Sequence, residues 1–211
     1  MTAPSRNAQS GAVLLIALIM LLVLTLLAVG SMRGVTLESR ITANRAHDIQ
    51  LSNIADSALR EAEFRFYGPN SPENLADKLE PKAANCATTN TLKTNGINKP
   101  CLLAINSGDL LDFVNMPSDV SADNLGTDSE GSLIWMPYRG TDPENSTEAN
   151  AQHQAGWNSI LATETGNAAV NAEYGMVAEG QGTYFYLNNG RAGEALYLQS
   201  TNANIYLGLN N

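Results

Sequence analysis

One uncharged apolar run constrains the fold of this chain more than any other feature. It extends over 19 residues, from Ala12 to Gly30, in a chain of 211 residues. A helix of about 20 apolar residues crosses the hydrocarbon core of a bilayer, whereas a secretory signal peptide has an apolar region of only ~7–15 residues. The run is therefore predicted to be a retained membrane helix, followed by one further domain.

The charges that flank this run leave its orientation open. Arg6 precedes the run, and Arg33, Arg40 and Arg45 follow it, offset only by Glu38. The tendency of membrane helices to keep positive residues on the cytoplasmic side therefore does not by itself favour a cytoplasmic N-terminus. The short leader and the two cysteines of the chain favour export of the C-terminal part instead.

Cys86 and Cys101 bracket a polar loop, CATTNTLKTNGINKPC. In an exported domain this spacing suggests a disulfide, which would stabilise the fold by about 3 kcal/mol. Two unrelated free thiols are the alternative. Two cysteines alone supply too few ligands for a structural zinc site, and His47 and His153 are both far away in sequence.

Residues 33–67 are predicted to continue as one amphipathic helix. Charged residues, Arg60 and Glu61 among them, fill much of its polar side, and Gly68-Pro69 ends it because glycine allows a left-handed cap and proline cannot continue. The apolar residues recur mostly at helical steps: Val35, Leu37, Ile41, Ala46, Ile49, Ile54, Ala58, Leu59, Ala62 and Phe66.

The C-terminal stretch GTYFYLNNGRAGEALYLQSTNANIYLGL, residues 182–209, predicts β-structure. Its two aromatic runs are separated by Asn188-Asn189-Gly190, which predicts a hairpin that turns there, and residues 202–209 are expected to add a third strand.

The polar stretch at residues 141–159 is expected to be a loop, and a short helix is expected near Leu110–Val114. The predicted class is α+β, a long N-terminal helix whose second half packs on an antiparallel sheet.

Composition and motifs argue against several classes of function. The net charge is −9 and the Lys and Arg residues are scattered, so no nucleic-acid partner is predicted. No spaced motif joins the Ser, His and Asp residues into a catalytic site, and neither an enzyme nor a cofactor is predicted.

An acidic stretch at residues 118–131 is the remaining candidate for a metal site. Oxygen ligands in one loop can hold Ca²⁺, but this spacing does not fit the EF-hand pattern. A solvated acidic loop is the more common meaning, so no metal site is predicted. The residues concerned are Asp119, Asp123, Asn124, Asp128 and Glu130.

The order of these parts resembles that of a type IV pilin: a polar leader ending in Gly11, a retained apolar helix, an amphipathic helix and a disulfide-bearing β-domain. The stretch SGAVLLIALIMLLVLTLLAVGSMRGVTLESRITANRAHDIQLSNIADSALREAE, residues 10–63, resembles the N-terminal pattern of PilX-type minor pilins of Gram-negative bacteria. ALYLQST, residues 195–201, is similar to their C-terminal strand. The residues that carry the N-terminal pattern are Leu22, Thr25, Leu26, Leu37, Glu38, Asn44, Ala55, Ala58, Leu59, Ala62 and Glu63.

The resemblance implies how the chain is processed and divided. Prepilin peptidase is expected to cut between Gly11 and Ala12 and to methylate the new amino terminus of Ala12. The expected parts are a leader (1–11), a transmembrane and assembly helix (12–32), an amphipathic helix (33–67) and a periplasmic α/β head (68–211). The chain would span the inner membrane once and later enter the pilus fibre.

The resemblance also implies which proteins the chain assembles with. Expected partners are other minor pilins, the major pilin, a large tip adhesin and the inner-membrane assembly platform, in support of twitching motility and adhesion.

Most pilins carry a glutamate at the fifth mature position, where this chain has Ile16. An apolar residue suits a subunit with no neighbour ahead of it, at or near the tip; drift at a tolerant position is the alternative.

Two other assignments stay open at the level of sequence. A minor pseudopilin of type II secretion can also lack the glutamate, although such pseudopilins are usually longer and carry an inserted helical domain. In a different class, the chain could be a membrane-anchored periplasmic enzyme or binding protein. The pilin assignment requires loss of residues 1–11 and a methylated alanine, and the anchored-protein assignment requires neither.

Overall fold

The computed structural model describes residues 8–67, 79–92, 98–106, 108–140, 154–162 and 182–206. Within these ranges the helices are α1 (Ala8–Tyr67) and α2 (Leu110–Asn115). The strands are β1 (Leu102–Leu103), β2 (Met136–Pro137), β3 (Ala155–Leu161), β4 (Gly182–Ala192) and β5 (Leu196–Tyr206). Single 3-10 turns cover Ala83–Asn85, Pro117–Asp119, Ala122–Asn124 and Thr127–Ser129.

The five strands form one sheet in the order β1-β3-β4-β5, and β2 also pairs with β3. Pairing is antiparallel except at β1, where Leu102 and Leu103 run parallel to Ser159 and Ile160 of β3. The predicted α+β class, a long N-terminal helix with a C-terminal sheet, is confirmed. The short parallel pair makes the sheet mixed, because a long connection containing α2 and β2 lies between β1 and β3.

The chain divides into two compact units, one that ends at Ile49 and one that begins at Gln50. We call the second unit the head from here on, so that the head includes the last part of α1. There, the last part of α1 packs on the sheet with side chains spaced mainly three or four residues apart, which is the pattern of a core-facing helix. These buried residues are Leu51, Ala55, Ala58, Leu59, Ala62 and Phe66. As predicted, α1 ends at Tyr67, and the predicted helix near Leu110–Val114 is α2.

The C-terminal hairpin is present, but its predicted turn is wrong. Asn188, Asn189 and Gly190 lie inside β4, and the chain turns at Gly193-Glu194-Ala195, where Gly193 has a positive φ of 58°. Inside the sheet, the Asn188 side chain accepts a hydrogen bond from Ser159 Oγ (2.6 Å) and Asn189 donates one to Asn158 Oδ1 (2.9 Å). These partners on β3 supply the hydrogen bonds that a turn would otherwise leave to water.

The central strand of the sheet was not predicted. β3 falls within residues 141–159, which were expected to form a polar loop, and every residue of β3 is buried. Its Trp157 side chain is fully buried and belongs to the main core cluster, together with Phe113, Cys86 and Cys101. Instead of a third strand after the hairpin, β5 continues unbroken from Leu196 to Tyr206.

Candidate assembly helix and the buried contacts of the head

The first candidate site is the exposed apolar part of α1, residues 11–50, which we call the assembly helix. All its side chains are exposed. Within the described residues, the helix from Gly11 to Phe66 is the segment whose length and apolar composition suffice to cross a membrane. Such a large apolar surface needs a cover of lipid or of other helices. The large apolar residues include Val13, Leu14, Leu15, Ile16, Leu18, Ile19, Met20, Leu21, Leu22 and Leu24.

Two hydroxyl side chains near the end of the apolar run, Thr25 and Ser31, are compatible with an apolar surrounding. Thr25 Oγ1 donates to Leu22 O (2.8 Å), and Ser31 Oγ donates to Leu27 O (3.0 Å). Hydroxyls that bond to the preceding turn of their own helix need no water. These two hydroxyls, one on each side of Gly30, are therefore satisfied within the helix. Gly30 and Gly34, at the junction with the amphipathic part, are themselves helical.

The predicted cleavage site, Gly11 and Ala12, and the missing-glutamate position, Ile16, lie close together at the start of this helix. Gly11, Ala12 and Ile16 are all helical, because α1 begins at Ala8. A Cβ added to Gly11 would meet no atom within 4 Å, so local packing does not require glycine at this position. The Ile16 side chain is 57% exposed and presents an apolar surface at the position where the pilin pattern has a carboxylate.

The second candidate site is a buried ion pair in the head, which we call the Glu61–Arg65 pair. Both side chains are 1% exposed, and Arg65 Nη2 lies 3.3 Å from Glu61 Oε1. The prediction that Glu61 lies on the polar side of the helix is wrong, because its side chain is buried. The spacing of four residues between Glu61 and Arg65 on the helix is the signal that could have found the pair.

Glu61 fixes the segment that follows β2. Its Oε2 accepts hydrogen bonds from the backbone N–H groups of Arg139 (2.7 Å) and Gly140 (3.0 Å). Burial raises the pKa of Glu61 above its ordinary value of 4.5, and the hydrogen bonds and the Arg65 charge oppose this rise. The carboxylate thus joins α1 to the end of the segment that carries β2.

Arg65 holds the loop that lies between the two cysteines. Its Nη1 donates to Asn90 Oδ1 (3.1 Å) and Lys99 O (3.4 Å), and its Nη2 also donates to Asn90 O (3.2 Å). The guanidinium carbon lies 5.0 Å from the ring centroid of Trp157, within range of a cation–π contact. Burial lowers the pKa of Arg65 below its ordinary range, and the charge and hydrogen bond of Glu61 oppose this change.

In the structure Cys86 and Cys101 are joined by a disulfide, with both residues fully buried. The bond closes residues 86–101 into a loop, the cysteine loop, of which residues 93–97 lie outside the described ranges. Backbone hydrogen bonds fix both ends: Leu133 N donates to Cys86 O (2.8 Å) and Ser159 N donates to Cys101 O (3.0 Å). The cysteines therefore join α1, β3 and the β2 segment in one core.

The acidic stretch does not bring its ligands together in the described ranges. Asp119, Asp123, Asn124 and Asp128 are spread over three single-turn helices, and Glu130 directly follows the last of them. Asn124 Oδ1 accepts hydrogen bonds from Ser121 N (2.9 Å) and Ser121 Oγ (3.0 Å), which caps one of these turns. Among the described residues, no group of three His, Cys, Asp or Glu side chains is placed to hold a metal ion. His47 is on the exposed assembly helix, and His153 lies outside the described residues.

Comparison with known proteins identifies a family match for the N-terminal part of the chain. Residues 10–60 match the model of the PilX N-terminal family, the N-terminal domain of type IV pilus assembly proteins. No curated protein and no solved structure matches the chain. The matched segment contains the assembly helix and the first buried turns of α1 in the head. The chain therefore carries a PilX N-terminal domain at residues 10–60, joined to a C-terminal sheet, and this match supports a type IV pilin of the PilX type.

Proposed function

We propose that this chain is a minor pilin that helps to prime type IV pilus assembly and is located at or near the pilus tip. The match to the PilX N-terminal family supports membrane anchoring and association with other pilins and the assembly machinery. The observation that carries the finer proposal is the exposed, uncharged run from Ala12 to Gly30 with Ile16 at the fifth mature position.

Removal of residues 1–11 would leave Ala12 as a methylated N-terminal residue. The apolar segment 12–32 then serves twice. It holds the subunit in the inner membrane with the head in the periplasm, and after extraction it packs against neighbouring helices in the fibre. Apolar burial and close helix packing drive both steps.

The position near the tip follows from the chemistry of Ile16. A carboxylate in an apolar surrounding is costly unless it meets a cation. In the pilin pattern that cation is the amino terminus of the subunit ahead. A first subunit has no subunit ahead and needs no carboxylate, while its own Ala12 amine still receives the glutamate of the next subunit.

The partners in this proposal are other minor pilins and the major pilin, a large tip adhesin, the assembly platform and prepilin peptidase. Twitching motility and adhesion would follow from the pili that such a complex initiates. The family's members are structural components of pili, and the proposed role is one of binding and assembly.

Mass spectrometry of the chain purified from native membranes tests the processing step. We expect an N-terminal peptide that starts at N-methyl-Ala12 and a peptide crosslinked through Cys86 and Cys101. A chain that retains residues 1–11, or one cut beyond Gly30, would contradict the proposal and favour an anchored periplasmic protein of another class.

Site-specific photocrosslinking in intact pili tests the position. A photoreactive residue at Leu14 should crosslink to the minor pilins that follow this subunit, and labelled chain should be found at fibre ends. Crosslinks to the major pilin alone, along the whole fibre, would exclude the tip position while leaving the pilin assignment intact. Crosslinks only to type II secretion components would favour the pseudopilin alternative.

A further inference from the structure

The buried Arg65 side chain and the cysteine loop are joined by several hydrogen bonds. Among the described residues, the Arg65 guanidinium donates four hydrogen bonds, and three of them go to the cysteine loop, two to Asn90 and one to Lys99. The fourth goes to Glu61. A guanidinium that is 1% exposed therefore depends for most of its acceptors on a segment outside its own helix.

The acceptors occupy fixed positions because the loop is closed. Asn90 Nδ2 donates to Asn85 O (2.5 Å) and to Lys99 O (3.1 Å), so the Asn90 side chain bridges the two sides of the loop. The disulfide joins the ends of the same loop, with the Cα atoms of Cys86 and Cys101 4.7 Å apart. Opening the disulfide releases the constraint that keeps Asn90 and Lys99 within hydrogen-bond distance of the guanidinium.

A buried cation that loses its acceptors is costly, because its desolvation is no longer compensated. The open form of the loop would leave Arg65 with Glu61 and the face of Trp157 as its remaining contacts described above. The head then has to expose Arg65 to water or keep a poorly compensated charge, and either change disturbs the packing of α1 on β3.

We propose that the Cys86–Cys101 disulfide and Arg65 form one coupled lock, in which oxidation of the loop completes the Arg65 site and Arg65 in turn protects the disulfide from reduction. The head reaches its final packing only once the two thiols have been oxidised. In that step the two thiols give two electrons and two protons to a disulfide oxidant by thiol–disulfide exchange, and the oxidant becomes a dithiol. The lock does not depend on the position of the subunit in a fibre.

Reciprocity supplies the test, since a coupling free energy acts equally in both directions. We would measure the equilibrium constant for reduction of the full-length chain, in detergent micelles, by dithiothreitol, which becomes its own cyclic disulfide. The Arg65→Met variant should be reduced more readily, by about 5-fold or more, the lower end of typical couplings. Arg65→Lys keeps the charge but lacks the planar fork of donors, and it should shift the constant in the same direction by less.

Two control variants separate the lock from general destabilisation. Arg60→Met removes an arginine whose side chain is 73% exposed on the same helix, and it should leave the constant within about 2-fold of wild type, below the lower end of typical couplings. Leu51→Ala destabilises the same helix–sheet contact away from the loop, in the core cluster with Ala55 and Ala192.

The lock requires that the Leu51→Ala variant shift the constant much less than Arg65→Met does. Equal shifts for these two variants would show that reduction simply unfolds the head, and the lock would be wrong. Unchanged reduction of both Arg65 variants would overturn it as well. If Arg65→Met does not accumulate in membranes, Arg65→Lys compared with Leu51→Ala decides the question.

Discussion

Gly190 of β4 lies directly against the backbone of Leu59 in α1. A Cβ placed on Gly190 would be 2.6 Å from Leu59 N and 2.7 Å from Leu59 Cβ, and closer still to Ala55 O. These distances are shorter than side chains tolerate, so the helix approaches the sheet at a point where only glycine fits. The close approach sets the separation between α1 and the sheet in the head.

We expect Gly190→Ala to destabilise the head by about 1–3 kcal/mol or more, because the neighbouring atoms belong to a rigid backbone and cannot move aside cheaply. Denaturant unfolding of the full-length chain in micelles measures the effect. Gly108→Ala is the matched control, since a Cβ there meets no atom within 4 Å. Equal stability of the two variants would contradict the proposed close packing.

The pH dependence of stability should carry the signature of Glu61. Because burial raises the pKa of Glu61 in the folded chain above 4.5, the folded chain binds more protons than the unfolded chain between the two pKa values. The free energy of unfolding therefore falls as the pH rises through that window, and the loss is complete above the folded pKa. This decrease begins near the ordinary pKa of glutamate.

The Glu61→Gln variant should lack this part of the pH dependence, and its unfolding free energy should vary less with pH over the same window. Chemical unfolding at several pH values checks the slope. Glu63→Gln, which removes a carboxylate from the same helix and leaves Glu61 in place, should keep the decrease. A Glu61→Gln profile parallel to that of wild type would show that Glu61 does not titrate as inferred.

The asparagine pair across β3 and β4 should behave as a unit. Asn158 and Asn189 are fully buried, and Asn158 also donates to Ile134 O (2.8 Å). Replacing either by alanine leaves a buried polar group without its partner, at a cost of about 1–3 kcal/mol. The double variant should cost less than the sum of the two single variants. If the two single variants' changes in unfolding free energy simply add up in the double variant, the contact is contradicted. Thr201→Ala, at an exposed position of the sheet, is the control for general effects of substitution.

These contacts explain why some elements could be predicted from sequence and others could not. The assembly helix, the end of α1 at Tyr67 and α2 rest on local signals: composition, helical spacing and a glycine-proline stop. The Asn188-Asn189-Gly190 segment has the composition of a turn, but its conformation is decided by Asn158 and Ser159 on β3 and by the helix above Gly190. Such partners are distant in sequence and leave no local signal.

The same reasoning applies to β3 and to Glu61. Asn158 and Ser159 are polar and buried, so β3 has the composition of a loop although it is the centre of the sheet. Glu61 was placed in water by its charge, yet its partners include the backbone of Arg139 and Gly140, nearly eighty residues further along the chain. Buried polar groups are the point at which hydrophobic patterning fails, because long-range hydrogen bonds determine where they lie.

The last prediction tests the role of Ile16 in assembly. If no subunit lies ahead of this one, Ile16→Glu would place a carboxylate in hydrocarbon without a partner amine, at a cost of several kcal/mol. The number of surface pili, counted by electron microscopy, should then fall, while an immunoblot of membranes shows how much of the chain is inserted. Ile16→Val keeps the site apolar and should retain wild-type piliation at equal membrane levels. Normal or increased piliation with Ile16→Glu would mean that a neighbouring amine receives the carboxylate, and the subunit would then lie within the fibre rather than at its tip.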